Sequence, residues 1–261
     1  MSLISVKNLS FAYGTKQIFS DINFDVENGQ VFALVGPNGC GKTTLEHCLL
    51  SHLKAQSGSI FINGKDISSF SAPQLAEWLS YVPQNHARSF PYKTVDVVAM
   101  GQTRNRKSAS SDAALNKKAM DILSSLGLEQ FAQTEYTSLS GGQLQLVLIA
   151  RALMQDSKIL VMDEPCAHLD VKRTKNIIQI IKTAVQQNKA VIMSTHDFNH
   201  PIMLQDEGVN IKMAVMNNGH ISNVDTPLKL MQGSLLKEIY DINSQIVKIK
   251  ADKDRHFIAS W

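Results

Sequence analysis

The sequence has few cysteines, no long apolar run and little excess of charge. Its three cysteines, Cys40, Cys48 and Cys166, show no C-x-x-C spacing, which argues against a zinc site or a disulfide framework and favours a reducing compartment. Apolar runs such as Val31–Val35 fall far short of the ~20 residues that a membrane helix needs. A net charge of +3 predicts no basic face for nucleic acid.

The start of the chain has no basic stretch followed by a long apolar one, so we expect no signal peptide. Hydrophobic residues make up 44% of the 261 residues, an ordinary globular balance that allows one large domain or two modest ones. If this protein works at a membrane, a partner must carry it there.

Apolar patterning predicts two kinds of strand. Apolar residues alternate with polar ones around Ile4 and Val6 and again from Ile22 to Val26, which is typical of half-buried strands. Unbroken apolar runs favour strands that are buried on both faces of a parallel sheet, and they occur at Val31–Val35, Ile159–Met162 and Ala190–Met193. Two Asn-Gly pairs, Asn28-Gly29 and Asn63-Gly64, predict hairpin turns.

Helices are predicted between these strands. The apolar spacing predicts helices over Lys42–Leu53, over Asp112–Leu126 with Asp112 as cap and Gly127 as terminator, after Gly142, and over Lys172–Gln187. Residues 86–152 carry few strand signals and are interpreted as a helical insertion, with Arg104–Ser111 as a polar loop. The alternation of strands and helices predicts an α/β core.

The strongest motif is a phosphate loop. Residues 36 to 43 read G-P-N-G-C-G-K-T and match G-x-x-x-x-G-K-[ST] between a predicted buried strand and a predicted helix. Glycines let successive N–H groups point inward around an anion, and the helix N-terminus adds its dipole. We expect Lys42 to reach the outer phosphates of a nucleotide and the Thr43 hydroxyl to bind Mg²⁺.

A second motif places two acids after a buried strand. Asp163 and Glu164 directly follow Ile159–Met162. Burying a carboxylate is costly unless it is paired or bound to a metal, so Asp163 is a candidate for the Mg²⁺ shell. Glu164, one residue further, can polarise an attacking water as a general base. Alone, the pair would be interpreted as two solvated acids.

The sequence Leu139-Ser140-Gly141-Gly142-Gln143 stands between these two motifs. With it, the chain resembles, over nearly its whole length, the nucleotide-binding subunits of ATP-binding-cassette (ABC) transporters. The resemblance implies a P-loop NTPase (RecA-like) core with an N-terminal antiparallel β subdomain and an inserted helical subdomain. In residue numbers, the core would comprise 1–85 and 153–220, the helical subdomain 86–152 and a C-terminal extension 221–261.

The resemblance also implies roles for single residues. Tyr13 would stack on adenine, Gln84 would touch Mg²⁺ and couple to a membrane partner, and His196 would contact the γ-phosphate. The resemblance implies a homodimer, because the signature helix of one copy faces the ATP bound by the other. Asp170 would link the two ATP sites of this homodimer. The remaining nucleotide contacts are expected at Gly36, Pro37, Asn38, Gly39, Cys40, Gly41, Thr44, Ser140, Gly141, Gly142 and Gln143.

The sequence departs from the family pattern at four places. Cys40 replaces a Ser or Ala of the phosphate loop, where only the backbone N–H is needed. Leu146 stands where an Arg commonly follows the signature. The segment Cys166-Ala167-His168 replaces a Thr-Ser-Ala-like stretch before Asp170, and Pro201 restricts the start of the helix after His196. None of these changes removes a catalytic group.

The transporter type is a finer prediction. Residues 90–95 (FPYKTV) and 97–101 (VVAMG) resemble importer ATPases for iron-siderophores, haem and vitamin B12, and the whole chain resembles the ATPase of a molybdate or tungstate importer. Such proteins act at the cytoplasmic face of the inner membrane with permease subunits and a periplasmic binding protein. Two alternatives stay open: a soluble ABC ATPase of the iron–sulfur assembly type, and a nucleotide-binding scaffold without turnover.

Overall fold

Strands and helices alternate along the chain, as a computed structural model of residues 2–87, 90–102, 112–167, 169–231, 237, 244–250 and 254–260 shows. The strands are β1 (Ile4–Tyr13), β2 (Lys16–Val26), β3 (Val31–Val35), β4 (Ser57–Ile62), β5 (Lys65–Asp66), β6 (Leu79–Val82), β7 (Ile159–Met162), β8 (Ala190–Thr195), β9 (Ile211–Asn217), β10 (His220–Asp225), β11 (Ser244–Lys250) and β12 (Asp254–Ser260). The helices are α1 (Lys42–Leu49), α2 (Ala72–Trp78), α3 (Thr94–Ala99), α4 (Asp112–Ser125), α5 (Gly141–Met154), α6 (Val171–Gln186), α7 (Asn199–Asp206) and α8 (Pro227–Leu230).

These elements form two compact units. The first contains the described residues up to Phe70 and from Ile178 onward, and the second contains Ser71–Ile177. The predicted helical insertion, residues 86–152, lies inside the second unit. The boundaries that the sequence analysis gave to the domains remain a prediction.

An antiparallel sheet in the first unit has the strand order β2-β1-β4-β5. Ile4 pairs with Val26 and Val6 with Phe24, and all four side chains are buried, which confirms the alternating pattern read from the sequence. The β4–β5 connection is a tight hairpin at Asn63-Gly64, where both residues have positive φ (49° and 76°). That conformation suits a type I′ turn, so this predicted hairpin is confirmed.

Parallel strands form the centre of the first unit. β3 lies between β8 and β9 and runs parallel to both, while β10 pairs antiparallel with β9. Every residue of β3 is buried, as the unbroken apolar run predicts. The hairpin predicted at Asn28-Gly29 is wrong. β2 and β3 belong to different sheets, and of the two residues only Gly29 has a positive φ (65°), so the turn passes the chain between sheets.

The second unit combines one pair of parallel strands with helices. β6 and β7 run parallel, with Val82 opposite Met162. Helices α3, α4 and α5 pack on one another, and the only strand-like pairing that the structure shows within its described part of 86–152 is an isolated bridge between Lys93 and Glu135. The helical character predicted for this segment is therefore confirmed, while the predicted loop Arg104–Ser111 lies outside the described residues.

Several helix limits differ from those predicted. α1 ends at Leu49 instead of Leu53, because Ser51 takes a left-handed conformation (φ 58°) that a helix cannot continue through. Asp112 is the first described residue of α4, and the capping role expected for it stays a prediction. The isoleucine-rich face of α6 is buried, as its periodicity predicts.

The C-terminal strands β11 and β12 form an antiparallel hairpin that packs on α7. Backbone N–H groups of His256 and Ile258 donate to Asp206 Oδ2 (2.8 Å) and Asn199 Oδ1 (2.9 Å) of α7. In the part of the chain that the structure describes, no helix has the length and apolarity to cross a membrane.

Candidate phosphate-binding site

The loop between β3 and α1 forms the core of the candidate site. Gly39 and Gly41 have φ values of 82° and 112°, which turn the backbone back on itself before the helix. A Cβ on Gly36 would lie 2.1 Å from the Met216 carbonyl oxygen, so close packing of the loop on β9 requires glycine there. The loop therefore presents backbone N–H groups at the start of α1, an arrangement that suits an anion.

Lys42 is the first residue of α1 and its side chain is almost completely buried. Its Nζ donates to the carbonyl oxygens of Gly36 at 2.8 Å and of Pro37 at 3.2 Å. These bonds hold the ammonium against the loop itself, where it adds positive charge to the ring of N–H groups. The next residue, Thr43, is exposed at the same helix end.

His196 leaves the same edge of the parallel sheet as the phosphate loop. Val35, the last residue of β3, is level with Thr195, the last residue of β8, and both loops begin one residue later. His196 is exposed, and hydrogen bonds hold the loop that contains it. Thr195 Oγ1 accepts the Asp197 N–H at 3.1 Å and lies 3.1 Å from His200 Nδ1. Within the first unit, the structure therefore brings His196 to the edge that carries the loop.

Tyr13 lies at the tip of the β1–β2 hairpin. Tyr13 is 53% exposed, and its ring stands edge-on against the Phe11 ring, with centroids 4.8 Å apart. Ile18, on β2 of the same hairpin, would be 3.2 Å from a Cβ on Gly41, so the hairpin lies against the phosphate loop. An exposed ring beside a phosphate loop suits the stacking role expected for Tyr13, which stays a prediction.

In the second unit, the parallel strands β6 and β7 end at the same edge of their pair. The residues that follow these ends include Gln84 after β6 and Asp163 and Glu164 after β7. The Asp163 N–H donates to the Val82 carbonyl at 2.9 Å, which fixes the end of β7 against the end of β6. Both acids are buried, and Glu164 has a φ of 47°, a conformation that costs energy for a residue with a side chain. The fold therefore holds this carboxylate at a strained turn, a feature that clusters at functional sites. Gln84 is exposed.

Residues Leu139–Gln143, here called the signature turn, start helix α5. Ser140 is the N-cap, and it exchanges a capping box with Gln143: the Ser140 N–H donates to Gln143 Oε1 at 2.9 Å, and Ser140 Oγ accepts the Gln143 N–H. A Cβ on Gly141 would meet no atom within 4 Å. The 14-residue helix thus presents an exposed N-terminus that an anion can approach.

Asp170 precedes α6 and caps it. Its Oδ1 accepts the Arg173 N–H at 2.8 Å, and its Oδ2 accepts Arg173 Nη1 at 2.9 Å. The sequence analysis did not select Arg173. The spacing D-x-x-R at a predicted helix start was the available signal, because the third helical residue is the one whose N–H a capping side chain reaches.

The described residues at the four departures from the family pattern are accommodated. Cys40, Leu146, Cys166 and Pro201 are buried, and Pro201 lies in the first turn of α7, where its missing N–H has no partner to lose. His168 lies outside the described residues. The three cysteines form no disulfide, and burial raises the pKa of the Cys48 thiol to about 11.

The donor atoms suit a magnesium nucleotide. The loop and the helix N-terminus offer N–H groups for phosphates. Thr43, Asp163 and Gln84 carry hydroxyl, carboxylate and amide oxygens, the hard ligands that Mg²⁺ prefers. The first of these residues belongs to one unit and the other two to the second, so the complete ligand set remains a proposal.

Comparison with known proteins gives consistent results. The family model described as "ABC transporter" matches residues 19–167. The chain is 29% identical to the hemin import ATP-binding protein HmuV of Thermobifida fusca over 94% of its length and 84% of that protein's. It is also 29% identical to the iron(3+)-hydroxamate import ATP-binding protein FhuC of Bacillus subtilis, over 95% and 91%.

A solved structure agrees with these relatives. A metal-chelate type ABC transporter in an inward-facing conformation superposes with a TM-score of 0.84 and 27% identity, covering 100% of this chain and 98% of that one. The predicted fold class, an α/β P-loop core with an antiparallel β subdomain and a helical insertion, is confirmed. The roles given to single site residues are not tested by these comparisons and remain proposals.

Proposed function

Since this chain belongs to the ABC transporter family and is an ATPase, we propose that it powers an importer of chelated iron or haem. The observation that carries the proposal is the similarity over nearly the whole chain to two ATP-binding proteins named for hemin and iron(3+)-hydroxamate import. The match to a metal-chelate type transporter supports the same class of cargo.

The proposed hydrolysis follows from the site residues. The phosphate loop and Lys42 bind the phosphates of ATP, and Tyr13 stacks on the base. Glu164 accepts a proton from the attacking water, and His196 contacts the γ-phosphate. Bound Mg²⁺, held by Thr43, Asp163 and Gln84, would neutralise charge on the phosphates.

The proposed working form is a homodimer with two shared ATP sites. The N-terminus of α5 is exposed at Gly141, and a Cβ there would meet no atom within 4 Å. This accessibility supports the proposal, because the γ-phosphate bound by a partner copy must reach the helix N-terminus. Asp170 is held at the start of α6, where it can communicate between the two sites. ATP would close the dimer, and product release would reopen it.

We propose that permease subunits dock on the second unit. Three large apolar side chains around α3 are exposed: Phe90 (61%), Tyr92 (46%) and Met100 (51%). The Phe90 and Tyr92 rings pack at 5.9 Å between centroids, so they form one apolar patch that a partner could cover. This docking would hold the protein at the cytoplasmic face of the inner membrane, beneath a permease fed by a periplasmic binding protein.

Molybdate or tungstate, suggested by the sequence, is proposed as the second cargo class, and the names of the relatives given above favour iron chelates and haem over it. The same names are of import proteins, which does not favour the alternative of an iron–sulfur assembly ATPase.

The test is uptake in a strain that lacks the gene. Cells carrying the wild-type protein, the Glu164→Gln variant or an empty vector receive labelled ferric siderophore, haem or molybdate in separate assays. We expect wild type alone to restore uptake of an iron chelate or haem, and affinity purification from its membranes to recover a polytopic permease. If the wild-type protein restores uptake of molybdate alone, the cargo is molybdate or tungstate and not an iron chelate or haem. A soluble partner without any permease would contradict the importer.

A further inference from the structure

Arg173 contacts two parts of the candidate site that are distant in sequence. Its backbone and guanidinium both bond to Asp170, and its side chain lies over Gly142 of the signature turn. Gly142 and Arg173 are separated by 31 positions along the chain and are brought together inside the second unit. The contact therefore arises from the fold and not from local sequence.

The Asp170 contact fixes a carboxylate from two directions. Oδ1 accepts the Arg173 N–H at 2.8 Å, while Oδ2 accepts Nη1 at 2.9 Å. The Arg173 and Asp170 side chains are 38% and 55% exposed, so the ion pair alone adds little stability to the fold. Its main effect is on geometry, because a carboxylate held by two donors on different groups has few orientations left.

The Gly142 contact is one of close packing. A Cβ on Gly142 would lie 2.5 Å from Arg173 Cδ and 2.8 Å from its Nε, so the arginine stem occupies the space that a side chain would fill. Gly142 is buried, whereas its neighbours Ser140 and Gly141 are exposed. The arginine thus covers the inner side of the signature turn and leaves its outer side accessible.

We propose that Arg173 is a positioning residue that holds the signature turn and Asp170 in one fixed arrangement. This inference rests on the proposed function, in which the signature turn meets ATP across a dimer interface and Asp170 links the two ATP sites. Lysine cannot replace the arginine fully, because it lacks the planar group whose Nε and Cζ lie on Gly142 while Nη1 bonds the Asp170 carboxylate. Loss of Arg173 should weaken ATP-driven dimer closure without touching the phosphate loop.

The experiment compares Arg173→Met and Arg173→Lys with Lys172→Met, a matched control that removes the same charge from the neighbouring exposed position. In the Glu164→Gln background, gel filtration measures the ATP concentration that gives half-maximal dimer. Binding of a fluorescent ATP analogue to dilute monomer measures affinity for the phosphate loop, and far-UV circular dichroism checks the fold.

We expect Arg173→Met to raise the dimerisation midpoint about tenfold or more, Arg173→Lys to be intermediate, and Lys172→Met to match the background. Monomer affinity should change less than twofold in all three. In the wild-type background, Arg173→Met should lower kcat, and in an Asp170→Asn background it should have a smaller further effect, because the two residues act through one contact.

A dimerisation midpoint for Arg173→Met equal to that of Lys172→Met would overturn the inference. If Arg173→Met does not fold, Arg173→Lys decides alone, and a midpoint equal to the control would overturn it. Should the Glu164→Gln protein bind ATP without ever dimerising, or the wild type fail to hydrolyse ATP, the proposed function would fail as well. If the Glu164→Gln protein dimerises with ATP, the dimerisation midpoints of the Arg173 variants test only the role of Arg173 and leave the proposed function unchanged.

Discussion

Lys42 Nζ donates to the carbonyl oxygen of Gly36 across the phosphate loop at 2.8 Å. The same side chain therefore helps to shape the loop and places a positive charge within it. Lys42→Ala removes both, and we expect ATP affinity to fall by roughly 10-fold or more, because hydrogen bonds to charged groups contribute about 1.5–3 kcal/mol. Fluorescent-nucleotide titration measures the loss. Lys54→Ala, at an exposed position, is the control, and equal affinity in the two variants would refute the assignment of the loop.

Glu164→Gln should separate hydrolysis from binding. The amide keeps the size of the side chain at its strained backbone position but cannot accept a proton from water. We expect ATPase activity to drop by roughly 10²–10⁴-fold, the range of general-base catalysis, while ATP binding is retained. Steady-state phosphate release and equilibrium binding measure the two quantities. Glu27→Gln, at an exposed position, should match wild type, and normal turnover in Glu164→Gln would exclude this residue as the base.

The sequence predicts most of the first unit because its signals are local. An unbroken run such as Val31–Val35 has no exposed face, so it must be buried on both sides, and β3 is. Asn28-Gly29 fails as a hairpin because the pairing partner of a strand is a tertiary property that a dipeptide does not encode. The Asn218-Gly219 pair, with φ values of 47° and 77°, does close the β9–β10 hairpin, although the sequence analysis did not select it.

The candidate site is predicted only in part, for a similar reason. The phosphate loop is contiguous, so its spacing alone indicates its chemistry. The D-x-x-R spacing indicates only the capping contact of Arg173 with Asp170, and its packing on Gly142, 31 positions away, is a property of the fold. The contacts between the C-terminal hairpin and α7 join residues about 50 positions apart, and no periodic pattern in the sequence predicts such contacts.

Gly101→Ala should destabilise the second unit. A Cβ on Gly101 would lie 2.1 Å from the Arg151 carbonyl oxygen and 3.1 Å from Met154 Cβ, so the end of α3 would be pushed away from α5. Overpacking of this kind costs about 1–3 kcal/mol, and a backbone atom cannot move aside as a side chain can. Urea denaturation measures the change. Gly141→Ala, where a Cβ meets nothing within 4 Å, should be close to wild type in stability, and equal midpoints for the two variants would contradict the packing argument.

Glu207 should make the stability of the first unit depend on acid pH. Its carboxylate accepts bonds from Lys182 Nζ at 2.9 Å and Arg255 Nη2 at 2.6 Å, and these bonds lower the Glu207 pKa from its ordinary 4.5 to about 2. A lowered pKa in the folded state stabilises the protein above the unfolded value, and this contribution is lost as the pH falls from about 4.5 towards 2.

Glu207→Gln removes the charge that binds Lys182 and Arg255 together. At pH 7 we expect it to lower the free energy of unfolding by about 2 kcal/mol, the size of hydrogen bonds to charged groups. The gap from wild type should stay constant down to about pH 5 and then shrink as the wild-type carboxylate becomes protonated. Urea midpoints at pH 7, 5 and 3.5 measure it, with Glu27→Gln as an exposed control that should show no such gap. A gap for Glu207→Gln that is as large at pH 3.5 as at pH 7 would show that its charge is not what holds these residues together.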